Sequence, residues 1–231
     1  MDHLPRSDAT AALNMARDLL MLEAYPEPAR CRFRCYGWAE PAFTFGVSQR
    51  WAEWRGRAPA ACALVRRPTG GGLVSHLADW TFALVLPAGH PVHALDALDS
   101  YGAVLEGLER ALRAQGLDVR RVPRPSGERR QVPPSVCADR PEPHDLVRAA
   151  DGAKVAGAAQ KRGRHGLLLQ GYVDRAALPV CDWERLERDA AAELASGLGS
   201  DLRRVREPAY APSLAGELAA RFASREWNER L

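Results

Sequence analysis

An α+β fold in a two-layer α/β arrangement is what this chain of 231 residues predicts. Three observations carry that reading. Strand-like segments lead, helical segments flank them, and no regular strand-helix alternation of the kind that builds a doubly wound parallel sheet occurs. With 46% apolar residues, the chain can bury one sizeable core, and residues 1–231 are expected to form one domain without a carboxy-terminal accessory domain.

The elements follow in order. In "ATAALNMARDLLMLEAY", Leu13, Ala16, Leu20 and Ala24 recur at helical spacing, with Ser7, Asp8 or Thr10 available as the cap. Pro26 and Pro28 break this helix. "CRFRCYGW" then alternates apolar and basic residues in the rhythm of a half-buried strand, and "AFTFGVSQ" follows after a turn. "ACALVRR" and "WTFALVLP" read as two further strands. From Asp96 to Gly116, a helix places Tyr101, Val104, Leu105, Leu108 and Leu112 on one face, with Gly116 at its stop. Residues 120–143 hold six prolines and predict an extended surface segment. "DLVRA" is strand-like. "AKVAGAAQ" and "GLLLQGYV" are apolar stretches joined by a basic turn, "KRGR". Helices from about Asp182 to Gly197 and from Ser213 onward finish the chain.

Composition excludes several classes. A net charge of +3 is too small to indicate nucleic acid. The apolar runs are far shorter than the roughly 20 residues of a membrane span. "MDHLPRSD" lacks a signal-peptide core. A cytoplasmic protein with neither nucleic-acid nor membrane partners is the expectation. Cysteines 31, 35, 62, 137 and 181 form no paired CxxC spacing, so neither a disulfide framework nor a metal site is expected. "RRVPRPSGERR" gathers five arginines against one glutamate, either a solvated loop or a docking surface for an acidic carrier. Of 32 basic residues only Lys154 and Lys161 are lysines. That asks for chemistry in which a compact ammonium serves where a broad guanidinium does not.

"RRPTGGGLVSH" (66–76) sets three glycines between arginines and a histidine. It runs from strand to strand and fits neither GxGxxG nor GxxxxGK[ST], so dinucleotide-binding and P-loop readings are weak. Backbone without Cβ atoms can take positive φ and lie against a ligand. On these residues alone, a ligand cradle and a plain hairpin both remain open.

Two blocks favour the cradle. "RRPTGGGLVSHLADWTFALVLP" and "GAKVAGAAQKR...LLLQGYV" resemble, in order and strand context, the signature segments of the lipoate-protein ligase A and octanoyltransferase family. "RCYGWAEPAFTFGVSQ" is similar to that family's first core segment, ending at Gln49. The resemblance implies a biotin/lipoate-ligase catalytic domain, with a mixed sheet flanked by helices as in class II aminoacyl-tRNA synthetases. It further implies that Gln49, Arg67, Gly70, Gly71, Gly72 and His76 bind substrate, together with Gly157, Gln170 and Gly171 of the second block. Lys154 is then the essential lysine. "CADRPEPHDLV" is similar to the segment that holds the nucleophilic cysteine of one octanoyltransferase branch, which puts that role on Cys137.

The implied activity is transfer of an octanoyl or lipoyl group to a lysine of a lipoyl carrier domain, through a Cys137 thioester and without a cofactor. The carrier would be a glycine cleavage H protein or a 2-oxoacid dehydrogenase subunit, and an acyl carrier protein is the donor. ATP-dependent ligation of lipoate through an adenylate, with ATP and Mg, is the alternative. A non-catalytic acyl binder is a third reading, motivated by departures from the pattern: Leu77, Ala83, Gln170 and Tyr172 stand where the family commonly has an acid, a serine, a histidine and a serine.

Overall fold

The structure is a computed structural model that describes residues 1–124 and 140–230. Its strands and helices run β1 (Asp2–His3), β2 (Ser7–Ala9), α1 (Ala11–Glu23), β3 (Arg32–Trp38), β4 (Ala42–Phe45), α2 (Trp51–Arg55), β5 (Ala63–Arg66), β6 (Val74–Ser75), β7 (Asp79–Pro87), α3 (Pro91–Ala94) and α4 (Ala97–Arg113). Then follow β8 (Val119–Arg121), β9 (Leu146–Arg148), β10 (Lys154–Gly163), β11 (Gly166–Asp174), α5 (Trp183–Gly197), β12 (Arg203–Arg204), α6 (Pro212–Ala223) and α7 (Arg225–Glu229).

Nine strands form a mixed sheet in the order β12-β1-β3-β7-β11-β10-β9-β8, with β2 also paired to β3. A second sheet, β5-β4-β6, carries the glycine segment. Side-chain alternation divides the core. Phe33, Cys35, Phe82, Leu84, Leu167 and Leu169 pack with Val104, Leu108, Leu186 and Leu194 of α4 and α5. Tyr36, Ala83, Val85 and Leu168 point the other way, onto Met15 and Leu19 of α1 and Phe222 of α6. The α+β class therefore holds, with the mixed sheet flanked by helices on both faces. The central strands have no wet face.

That second helical layer explains a difference on β3. Its arginines were expected to face solvent, yet Arg32 and Arg34 are each 1% exposed. Arg34 donates from Nε to Asp18 Oδ1 of α1 at 2.7 Å, and Arg32 donates to the carbonyls of Glu27 and Pro28. A buried cation is tolerated only when such acceptors meet it. Elsewhere the local signals behave as expected. Thr10, among the three candidate caps, accepts from Leu13 N, and Gly116 takes the left-handed φ of 79° just beyond α4. The "KRGR" turn is shorter than expected, because Lys161 and Arg162 pair in the ladder with Leu168 and Leu167 and only Arg164 and His165 turn. Among the described residues no helix is long and apolar enough to cross a membrane.

The last helices hold the glycine segment in place. The buried Arg66 guanidinium donates to the carbonyls of Val47 (2.8 Å), Gln49 (2.6 Å), Trp227 (3.0 Å) and Asn228 (2.9 Å). Trp227 Nε1 donates back to Arg66 O at 2.8 Å. With Arg230 O as a fifth acceptor, the five donors of one planar fork join β5, the turn after β4, and α7 with the residue that follows it.

Candidate active site

β5 ends at Arg66, and the next residue turns its side chain into the protein. Arg67 donates from Nε and an Nη to Gly70 O at 3.0 and 2.6 Å, to Gly72 O at 2.9 Å, and to Thr44 Oγ1 at 3.2 Å. The glycine segment is therefore pinned from inside. Gly71 needs its left-handed φ of 85°, and its carbonyl lies so close to Gly46 that a Cβ there would come within 2.1 Å.

The segment closes one side of a largely apolar cavity whose empty space, mouth included, is about 690 Å³. Met15, Tyr36, Trp38 and Val74 contribute to its wall, together with Arg67, Gly71 and His76. The opening of β10 contributes to the same wall. Lys154 Nζ lies 2.8 Å from Asp145 Oδ2, and their side chains are 7% and 4% exposed. Asp145 also accepts from the Tyr101 hydroxyl and, at 2.6 Å, from Glu142 N. Tyr101 in turn accepts from Ala158 N at 2.9 Å. Burial and the neighbouring Asp145 charge push the Tyr101 hydroxyl well above its ordinary pKa, so it stays a donor. Gly157 makes room for the ion pair: a Cβ there would meet Asp145 Oδ1 at 2.9 Å and Lys154 Cε at 3.0 Å.

Gln170 on β11 closes the base. Thr69 Oγ1 donates to its Oε1 at 2.8 Å, while its Nε2 donates to Asp18 Oδ2 at 2.6 Å. Asp18 is shared with Arg34 and with the Tyr36 hydroxyl at 2.9 Å. A glutamine fits at 170 because acceptor and donor wait on opposite sides of its amide.

His76 is held from three sides. Its Nε2 is 2.8 Å from Thr44 Oγ1, its Nδ1 is 2.6 Å from Asp79 Oδ2, and its ring stacks on Trp38 with centroids 3.9 Å apart. Thr81 Oγ1 donates to the same Asp79 oxygen at 3.1 Å.

Seven of the residues expected at the site line this one cavity: Arg67, Gly71, His76, Lys154, Gly157, Gln170 and Gly171. Gly70 and Gly72 instead offer carbonyls to Arg67. Gln49 is not on the wall; the chain turns at Gly46, with Gln49 N bonded to Gly46 O, and its carbonyl serves Arg66. Cys137 lies outside the described residues. Among the described cysteines none lines the cavity. Burial raises the thiols of Cys31 and Cys35, and burial with the Asp182 charge pushes Cys181 up to about 11, far from nucleophilic readiness. Of the arginine-rich segment, Arg121 is paired to Glu106 and Glu109, and Arg124 to Asp96 and Asp99, all acids on or capping α4. Those two charges are engaged within the chain.

Sequence reasoning missed Asp145, Tyr101, Thr44, Asp79 and Trp38. Asp145 stood inside a quoted segment, but nothing local marks a carboxylate that meets a lysine nine positions away.

An apolar cavity walled in part by side-chain-free backbone and carrying a buried ammonium can hold an acyl chain with its carbonyl near that charge. The chain belongs to the lipoyl protein ligase A/B catalytic domain family, whose model matches residues 10–175. Among curated relatives, the octanoyltransferase LipM of Kyrpidia tusciae is 28% identical over 264 residues, covering 96% of this chain and 95% of the relative. The octanoyltransferase LipM of Bacillus subtilis is 32% identical over 176 residues, covering 72% of this chain and 62% of the relative. Among solved structures, a Thermoplasma acidophilum lipoate protein ligase with bound lipoic acid superposes at TM-score 0.77, with 18% identity and 99% and 98% coverage. Lipoate-protein ligase A bound with ATP superposes at 0.74, with 18% identity and 99% and 97% coverage. At that identity the likeness is one of fold.

Proposed function

We propose that this enzyme moves an octanoyl or lipoyl group from an acyl carrier protein, by way of a Cys137 thioester, to a lysine of a lipoyl carrier domain such as a glycine cleavage H protein or a 2-oxoacid dehydrogenase subunit. The observation that supports this most is the Lys154 ammonium, held by Asp145 in the wall of the cavity that Gly71 also lines. An acyl chain in the apolar cavity brings its carbonyl to polar groups on the wall. When a thiolate attacks that carbonyl, charge develops on oxygen, and one well-placed donor lowers the barrier by roughly 3–4 kcal/mol. Lys154 is that donor. A thiol with an ordinary pKa near 8.5 is mostly protonated at neutral pH, so the same positive charge favours the attacking thiolate. No cofactor is needed, because the thioester already carries the energy of the amide bond.

Incubation with octanoyl-acyl carrier protein is expected to leave an octanoyl increment on Cys137 by mass spectrometry, and addition of a lipoyl carrier domain should clear it. Transfer that continues in Cys137→Ala would reject the covalent route. The fold likeness to lipoate-protein ligase A bound with ATP supports a second reading, ligation of free lipoate with ATP and Mg. Pyrophosphate release dependent on lipoate would select it.

A further inference from the structure

We infer that Thr44, His76 and Asp79 form a proton relay that takes the proton from the attacking amine, with His76 as the base. This rests on the acyl-transfer reading above and adds a step to it. A lysine amine that attacks a thioester keeps a proton it must lose before the amide is formed. The other groups on the wall are poorly placed to accept it. Lys154 and Arg67 are cations, Asp145 is engaged by three donors, both ends of the Gln170 amide are bonded, and Glu142 is exposed.

His76 differs. Arg67 can only donate, so Thr44 Oγ1 accepts from it at 3.2 Å and has its own hydrogen left to give. With Nδ1–H directed at Asp79, the neutral ring presents a bare Nε2, and the Thr44 hydrogen points there across 2.8 Å. The order is carboxylate, imidazole, hydroxyl, with Thr44 among the residues that line the cavity, an arrangement recognised by geometry and roles wherever it occurs. Stacking on Trp38 fixes the ring plane. Thr44 is 2% exposed, which leaves it room to pass a proton but not to carry an acyl group.

In the step, the carrier amine forms a C–N bond to the thioester carbonyl carbon. Its proton moves to Thr44 Oγ1 as the Thr44 proton moves to His76 Nε2, and Asp79 steadies the imidazolium. The C–S bond breaks, the sulfur departs with the electron pair, and the relay gives up its proton as the thiol re-forms. Thr44 and His76 act directly; Asp79 is a positioning residue.

The test follows octanoyl transfer from octanoyl-acyl carrier protein to a lipoyl carrier domain, with kcat and KM resolved. Thr44→Val is expected to lose about 100-fold in kcat, with KM within about twofold. Thr44→Ser, which restores the hydroxyl, should recover most of the loss. Asp79→Asn should lower kcat likewise with KM little changed, and it carries the comparison should Thr44→Val fold poorly. Equal kcat in Thr44→Val and wild type overturns the relay, as does a loss that Thr44→Ser does not recover, which would mark a structural role. Wild-type protein that yields no octanoyl-lysine from any thioester would instead remove the acyl-transfer reading.

Discussion

Gly157 lies one ordinary side chain away from a disabled site. A methyl group there would press on Asp145 Oδ1 and on the Lys154 Cε and Nζ atoms, and that ion pair has no slack because Asp145 is held by two further donors. Gly157→Ala is therefore expected to cut the rate of carrier-domain octanoylation at least tenfold by displacing the ammonium, while the melting temperature falls only modestly; paired kinetic and thermal measurements check both halves. Lys154→Arg should be worse, about 100-fold, since a planar fork cannot occupy the space of a point charge between Asp145 and a small carbonyl. Retained activity in Lys154→Arg would mean that charge alone suffices at this position. At this scale the sequence was informative where a residue type is unusual. The scarcity of lysine, two among 32 basic residues, marked Lys154 and Lys161 alike, and the glycines 70–72 left cradle and hairpin open until the family resemblance pointed to Lys154 and the cradle. The sequence was silent on Asp145, Thr44 and Asp79, ordinary residue types whose partners Lys154 and His76 are brought to them by the fold.

Between elements, the closing helix α7 does work that its sequence does not advertise. "SREWNERL" has no motif, yet Trp227 is 7% exposed and stacks between the Arg221 and Arg230 guanidinium groups, 4.1 and 3.6 Å from its ring centroid. Its indole N–H and the Asn228 amide bind the backbone of Arg66 on β5, directly ahead of the glycine segment. Trp227→Ala removes that anchor and a large buried ring, and should cost about 3–5 kcal/mol. Because α7 meets β5, the loss should also loosen the glycine segment, seen as faster amide hydrogen exchange at residues 67–74 than at β11. Uniform exchange across both would mean that α7 stabilises the core only. Helix α4 shows the opposite case: its cap, its apolar face and its glycine stop are all local, so its extent was legible. Strand β3 falls between the two. Its period was right, but whether its arginines met water depended on Asp18 of α1, 16 residues before Arg34, and on the carbonyls of Glu27 and Pro28 that meet Arg32.

Across the whole molecule, strand order is the feature that local patterns leave open. The first strand pairs in parallel with both β3 and β12, matching Asp2 with Arg32 and Arg203, so segments about 200 residues apart share one register. Electrostatics hold that junction. Asp2 is fully buried and accepts from Arg30 at 2.6 Å, Arg203 at 2.7 Å and Tyr25 at 2.7 Å. Burial alone would raise its pKa, but the hydrogen bonds from Arg203, Tyr25 and Arg30 outweigh it and hold the carboxyl down at about 2, against an ordinary 3.8. A carboxyl whose folded pKa is depressed contributes stability that is fully present above its ordinary pKa and disappears as pH falls through the folded value. At 1.36 kcal/mol per pKa unit, the contribution is about 2 kcal/mol, lost between about pH 4 and pH 2. Asp2→Asn should therefore lower unfolding free energy at pH 7, and its deficit relative to wild type should shrink through that window. Denaturant titrations of both proteins from pH 7 to pH 2 measure it. A deficit that stayed constant down to pH 2 would show that the junction is held by packing and backbone pairing, with the carboxylate charge contributing nothing.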